Sequence, residues 1–462
     1  MRRFRRLSAV PTAAAVFLGL SLGMPLSSAS AETLEEALAK AYLNNPNLAA
    51  ARARLRATDE EVPLALSGWR PTVSVNYEAG KAYTDQSAGT TSLARSTNRS
   101  PHGGGIALSQ NLFEGGRTVA RTEEAEQSVL AERARLASAE QQVMLDAATV
   151  YTDVLRDEAV LRLTQNNERV LQRQLEATRD RFQVGEVTRT DVAQAESRLS
   201  RARSDRIQAE GALAASRAAY RNVIGDLPGT LEPARTLSDL PANVDEATEQ
   251  ARNNNPDVLA PLYEERAAGA AVDTVTGELL PTVDLQGELS RANNTATVDR
   301  SQGGSITAVL TVPLYQGGGV SARVRAAKHV QSQRRQELDA AIRDAIATAT
   351  QAWEAYQTAQ AQIRAFSAEV RAASIALEGV RQEAQVGSRT VLDVLDAEQE
   401  LLNARVSLVR AQRDEVVSSF NVRRTVGTLL ADQLRLQVPT YDYEEHYRRV
   451  RNKWFGLGAG EE

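Results

Sequence analysis

The chain carries one segment twice. Gln385–Arg405 reads QVGSRTVLDVLDAEQELLNAR, and 202 positions earlier Gln183–Arg203 reads QVGEVTRTDVAQAESRLSRAR, identical at 11 of 21 positions without a gap. The same offset relates Leu112, Phe113, Gly115 and Gly116 to Leu314, Tyr315, Gly317 and Gly318, and Gly225 to Gly427. At an offset of 210, Asn45-Pro46 answers Asn255-Pro256, and Pro71-Thr72-Val73 answers Pro281-Thr282-Val283. A unit of about two hundred residues has been duplicated, so the fold must be built from two equivalent halves of one body. Residues 32–232 and 240–436 are the two repeats, and 437–462 form a tail with Tyr441, Tyr443, Tyr447, Trp454 and Phe455 that periodicity does not assign.

Each half opens with helical spacing. Leu34, Leu38, Ala41 and Tyr42 recur at three and four before Asn45-Pro46 breaks the run, and a second helix runs from Asn47 to a bend or break at Val62-Pro63. After Pro71 the period becomes two: Val73, Val75, Tyr77 and Ala79 alternate with polar residues, which predicts a strand with one apolar face. A polar loop rich in Gly, Ser, Thr and Asn follows from about Gln86 to Gly105, and Ile106, Leu108 and Leu112 mark a second strand ending at Gly115-Gly116. The second half repeats this with Val283, Leu285 and Leu289, then Ile306, Ala308, Leu310 and Val312.

Arg117 to Val184 contains no Gly or Pro, and Val320 to Val386 is interrupted only by Gly379. Helices of this length would reach about 100 Å. After Thr188, Val192, Ala195, Leu199, Ala202, Arg206, Ala209, Leu213, Ser216, Tyr220 and Val223 alternate at spacings of three and four, a coiled-coil seam. Its counterpart passes through Val394, Ala397, Leu401, Ala404, Leu408 and Ala411. Thr188-x-x-Asp191 and Thr390-x-x-Asp393 predict capping boxes.

Arg2, Arg3, Arg5 and Arg6, an apolar run from Leu7 to Leu20 and Ala29-Ser30-Ala31 read as a secretory signal over 1–31, cleaved before Glu32. Its removal takes the formal charge from −5 to −9. With no Cys, the chain has neither disulfides nor a lipidated N-terminal Cys. Charge of both signs is mixed, so nothing points to nucleic acid, whose binders carry a basic stripe. His102, His329 and His446 lack metal-ligand spacing, and Gly103–Gly105 and Gly317–Gly319 lack the Lys of a phosphate loop; neither a catalytic nor a cofactor site is expected. No remaining stretch has the length of a transmembrane helix.

The strands suit a membrane: about ten residues, apolar on one side. Four cannot close, and lipid tolerates no open edge, so several chains must share one barrel. Two chains would give eight strands with a filled interior; three would give twelve with a lumen. Asn76, Glu78, Asp284 and Glu288 on the polar face favour the lumen.

This pattern resembles the TolC family of outer-membrane channels over nearly the whole mature chain. Val386-Gly387-Ser388-Arg389-Thr390-Val391-Leu392-Asp393-Val394-Leu395-Asp396 is close to a family signature, and Arg181-Phe182-Gln183-Val184-Gly185 is its first-half counterpart. The resemblance implies a mostly α membrane protein of the α+β class: a homotrimer in which long antiparallel coiled-coil helices form a periplasmic α-barrel. Four strands per chain would contribute to a twelve-stranded barrel in outer-membrane lipid. It implies an exit duct that meets a periplasmic adaptor (membrane fusion) protein and an inner-membrane RND, ABC or MFS transporter. The cargo would be drugs and small molecules, or proteins if it is a dedicated type I secretion channel. By resemblance the docking tips are Val184, Gly185, Thr188, Val386, Gly387 and Thr390, and the periplasmic gate is Glu176, Arg389, Asp393 and Asp396, with Arg389 linked to Glu176. The family's usual Tyr near this turn is Ala384. A periplasmic structural coiled coil is the rival reading; it explains the heptads but not the four alternating segments.

Overall fold

The computed structural model describes residues 31–86, 95–295 and 298–459. The signal segment and part of the polar loop after Gln86 lie outside them. In chain order come α1 (Leu34–Asn44), α2 (Pro46–Asp59), α3 (Glu61–Leu66), β1 (Thr72–Ala79), β2 (Ala82–Gln86), β3 (Arg95–Arg99) and β4 (His102–Glu114). Then come α4 (Arg117–Gln183), α5 (Arg189–Ile224), α6 (Val244–Asn254), α7 (Pro256–Thr276), β5 (Thr282–Asn293) and β6 (Arg300–Thr311). The chain finishes with α8 (Gly319–Gln385), α9 (Val391–Thr425) and a short α10 (Glu445–Val450).

Both long helices are 67 residues, the length that their freedom from breakers predicts. Gly379 does not interrupt α8: helical hydrogen bonding on either side carries one flexible residue through. The break after α2 comes at Asp59-Glu60 rather than at Val62-Pro63, because Pro63 falls in the first turn of α3, where its missing N–H costs nothing.

The main sheet is antiparallel in the order β1-β4-β5-β6. Register puts Val73, Leu108, Gly287 and Ile306 in one row and Ser74, Ala107, Glu288 and Ser305 in the next, so the apolar and polar faces predicted from alternation are real. The apolar face is uncovered: Val75 is 76% and Ile306 83% exposed. The two edges, β1 and β6, pair with no other described strand. One expectation fails here, since the polar loop is partly ordered sheet. β2 and β3 pair as a second ribbon, Thr84 opposite Thr97, and β4 begins already at His102. Cross-strand pairing of short polar residues leaves no hydrophobic alternation for a sequence reading to detect. Among the described residues no helix is long and apolar enough to cross a membrane.

The helices form two hairpins, α4 with α5 and α8 with α9, which pack together through α4 and α9. The α5 seam buries Ala195, Leu199, Ala202, Ala209, Leu213, Ser216 and Tyr220 as its heptads predict. Three positions differ. Val192, at the start, is only half-buried against its apolar neighbours. Arg206 leaves the seam to bond Glu168 at 2.6 Å, and Ile224 rather than Val223 is buried at the end, where 3.6 residues per turn have drifted from the 3.5 repeat.

The repeated Asn-Pro pairs join the two ends of each half. Asn45 caps α2 by accepting from the Asn47 N–H at 2.9 Å, and its amide donates to the Val223 carbonyl at 3.1 Å. Asn255 caps α7 on the Asp257 N–H at 2.9 Å and donates to the Thr425 carbonyl at 3.0 Å. Gly427, at φ +82°, allows the second contact: a Cβ there would lie 2.4 Å from the Asn254 carbonyl oxygen.

The tail, unassigned from sequence, is a strap across the main core. The Tyr441 N–H donates to the Tyr42 hydroxyl at 3.0 Å, and His446 Nδ1 lies 3.1 Å from the Asp59 carboxylate. Tyr443 donates at 3.3 Å to Glu140, which also accepts the Ala431 N–H at 2.8 Å. Burial raises the Glu140 pKa against these two donors. Such a carboxyl favours the folded state fully below its unfolded value near 4.5, and that contribution is lost as pH rises through the higher folded pKa. Glu140→Gln keeps an oxygen for Ala431 and an amide for Tyr443 while removing the charge. The variant should therefore be more stable than the parent at neutral pH and differ little from it near pH 4, read as the difference between paired melting curves. An equal difference at both pH values would contradict it.

Candidate functional site

The far ends of the hairpins are two copies of one turn. Gly185 and Gly387 both sit at φ +82°. In the first, the Gly185 N–H reaches the Phe182 carbonyl at 3.0 Å and the Glu186 N–H reaches Arg181 at 2.9 Å. In the second, Gly387 reaches Ala384 at 3.2 Å and Ser388 reaches Glu383 at 3.0 Å. This paired pattern closes a helix through a left-handed residue, which is why both positions are glycine. The returning helices start with full capping boxes: the Thr188 and Thr390 hydroxyls accept from the Asp191 and Asp393 N–H groups at 3.2 Å. Asp393 in turn accepts the Thr390 N–H at 2.9 Å and its hydroxyl at 2.8 Å, and these bonds hold its carboxyl below the ordinary range. Val184 and Val386 project into solvent from the turns, 72% and 81% exposed.

A small apolar cluster lies behind the turns. Leu171 and Leu175 of α4 pack with Ala195, Leu199 and Ala202 of α5, and Leu395 from α9 is buried among them. Leu395 thus joins the second hairpin to the first. One residue on, Asp396 accepts from Arg198 of α5 at 2.5 Å, a half-exposed link between the hairpins. Sequence comparison marks Asp396 as peculiar to the second half but gives no hint of Arg198 as its partner.

Arg389 bonds Glu383 at 2.9 Å across its own turn rather than Glu176. The turn folds the chain back on itself and brings a carboxylate six residues upstream within reach, whereas exposed Glu176 accepts from Gln172 at 3.4 Å. Asp393 is engaged as a cap and does not pair with Arg389.

Each hairpin also carries a rung that sequence reasoning missed: Arg179 to Glu196 at 2.6 Å, and Arg381 to Glu398. The 202-residue offset relates both members of the two pairs, and that identity was the available signal. Among the described residues no group of three or more His, Cys, Asp or Glu is placed to hold a metal. The chemistry on offer is charge and shape at the end of a long helical assembly.

The family model described as outer membrane efflux protein matches residues 37–226 and 247–428. The chain is 37% identical to outer membrane efflux protein BepC of Brucella suis biovar 1, over 93% of each chain. It is 27% identical to outer membrane protein TolC of Vibrio cholerae, over 90% of this chain and 95% of that one. Its fold is similar to that of the Campylobacter jejuni CmeC outer membrane channel, with a TM-score of 0.78 at 17% identity over 91% of this chain and 89% of that one. The chain belongs to the outer membrane efflux protein family, seated in the Gram-negative outer membrane and extending into the periplasm.

Proposed function

We propose that three copies of this chain assemble into a twelve-stranded barrel continued by a helical tunnel, and that the tunnel is the outer-membrane exit duct of a tripartite export system. The observation that carries this is the four-stranded sheet with two open edges and an exposed apolar face, joined directly to helices about 100 Å long. Relatives at 24–28% identity include the proteases secretion protein PrtF and the alkaline protease secretion protein AprF, alongside the efflux and TolC proteins. Both small-molecule efflux and protein secretion therefore suit a duct of this kind, and the overall identity to BepC favours efflux.

The tips are the proposed contact with a periplasmic adaptor that connects the duct to an inner-membrane pump. Val184 and Val386 offer exposed apolar side chains on turns fixed by glycine and capped by Thr188 and Thr390. A Cβ at Gly185 or Gly387 would meet no neighbour within 4 Å, so a large side chain there would project outward. Gly185→Trp and Gly387→Trp should abolish export while trimers persist in the membrane. Export at the parent level would contradict the docking role.

The proposed gate comprises two links at this end, Asp396 to Arg198 between the hairpins and Arg389 to Glu383 within the second turn, with Asp393 fixing that turn. Glu176 stands on the exposed face of α4, free to meet a neighbouring copy. Exposed pairs are individually weak, but three symmetric copies act on one opening equilibrium and together can shift it about tenfold. Arg198→Ala and Arg389→Ala should raise single-channel conductance or open probability in planar bilayers by that order. Parent-like recordings from both variants would remove the links from the gate.

A further inference from the structure

The charges of the four-stranded sheet are fully sorted between its faces. Following the register, Glu78, Asp284, Glu288 and Glu114 all stand on the polar face, which carries no basic residue. The apolar face carries no acid, and its His102, Arg291 and Arg300 lie at one end. That end is the one remote from the helices, since α4 and α8 start just past the opposite ends of β4 and β6.

We propose that Arg291 and Arg300 form a binding site for the phosphate groups of outer-leaflet glycolipid. The inference rests on the outer-membrane reading, in which the apolar face meets lipid. From Val283 to Arg291 the apolar face of β5 covers about 27 Å of strand, or about 20 Å along the membrane normal after tilting. Arg291 therefore sits where an apolar band of about 25 Å gives way to headgroups. Arg300 pairs with Asn293 and Gln302 with Arg291, so the two arginines are diagonal neighbours on one face, about 7 Å apart at their Cα atoms and within joint reach of one phosphate. Both are exposed, and among the described residues neither has an acidic partner. Across Gly104 from Arg291 stands Tyr77, whose ring lies 3.1 Å from where a Gly104 Cβ would be. An aromatic ring beside a cation at the edge of an apolar band suits the sugar and acyl boundary of such a lipid. An arginine pair held on a lipid-facing surface without a carboxylate is poorly satisfied until an anion arrives. The outer leaflet supplies one in the phosphorylated disaccharide of lipid A.

The test uses the purified full-length oligomer in detergent, with native mass spectrometry after titration with bisphosphorylated lipid A, its dephosphorylated analogue, or inorganic phosphate. The parent should retain lipid A but not the dephosphorylated analogue, and Arg291→Gln with Arg300→Gln should cut retention about tenfold or more. Equal retention by the double variant overturns the site, as does equal retention of the dephosphorylated lipid. Displacement of lipid A by inorganic phosphate at the lipid's own concentration would mark a free-phosphate site and also overturn it. The same spectrum reports subunit number. Loss of lipid from intact trimers supports the site, trimers with unchanged lipid defeat the site alone, and absence of trimers defeats the exit-duct reading instead.

Discussion

The unpaired backbone along β1 and β6 is the constraint on which the rest depends. In water, an open edge is a liability that charges or short strands can manage; in hydrocarbon, every N–H and C=O left unpaired costs several kcal/mol. A sheet of four strands with an apolar face cannot remove its edges alone. Closing with other copies removes them, and it also dictates symmetry, because the long helices that leave the sheet must then surround the same axis. In the proposed assembly, the position of the tips and the multiplicity of any link made there follow from that closure, and the acidic face of the sheet turns inward.

Duplication gives each half of the chain both sheet strands and long helices, and the departures from it show where the halves have specialised. The glycine turns, capping boxes, Arg-Glu rungs and Asn latches recur at 202 or 210 residues. Asp396 and Arg389 have no such counterparts, and each makes a charge contact confined to the second hairpin or joining it to the first. Structural roles are shared between halves. The roles proposed for opening are not.

Much of this was legible in the sequence because the signals are periodic. Alternation exposed the two faces of the four main strands, and the absence of Gly and Pro fixed the two helices to within a residue or two. Capping and turn chemistry are local, so Thr188, Thr390, Gly185 and Gly387 were placed correctly. What escaped depends on distance in space. The partners of Arg389 and Asp396 were set by how a turn folds and how two hairpins pack, which no spacing encodes. The aromatic tail has no period because it follows the contours of a core made by other segments, from Tyr42 to Glu140. The β2–β3 ribbon was hidden by its polar composition.

Closure between copies can be tested directly because the chain has no cysteine of its own. Asn76 on β1 and Ser301, Gly303, Ser305 and Thr307 on β6 all stand on the polar face of the two edges. Pairing a cysteine at 76 with a cysteine at each of the four β6 positions, followed by mild oxidation in the membrane, samples the inter-copy register. The account predicts that at least one pair gives covalent chains of two and three copies and nothing larger. Crosslinks confined within single chains, or a ladder that stops at two or runs past three, would contradict it.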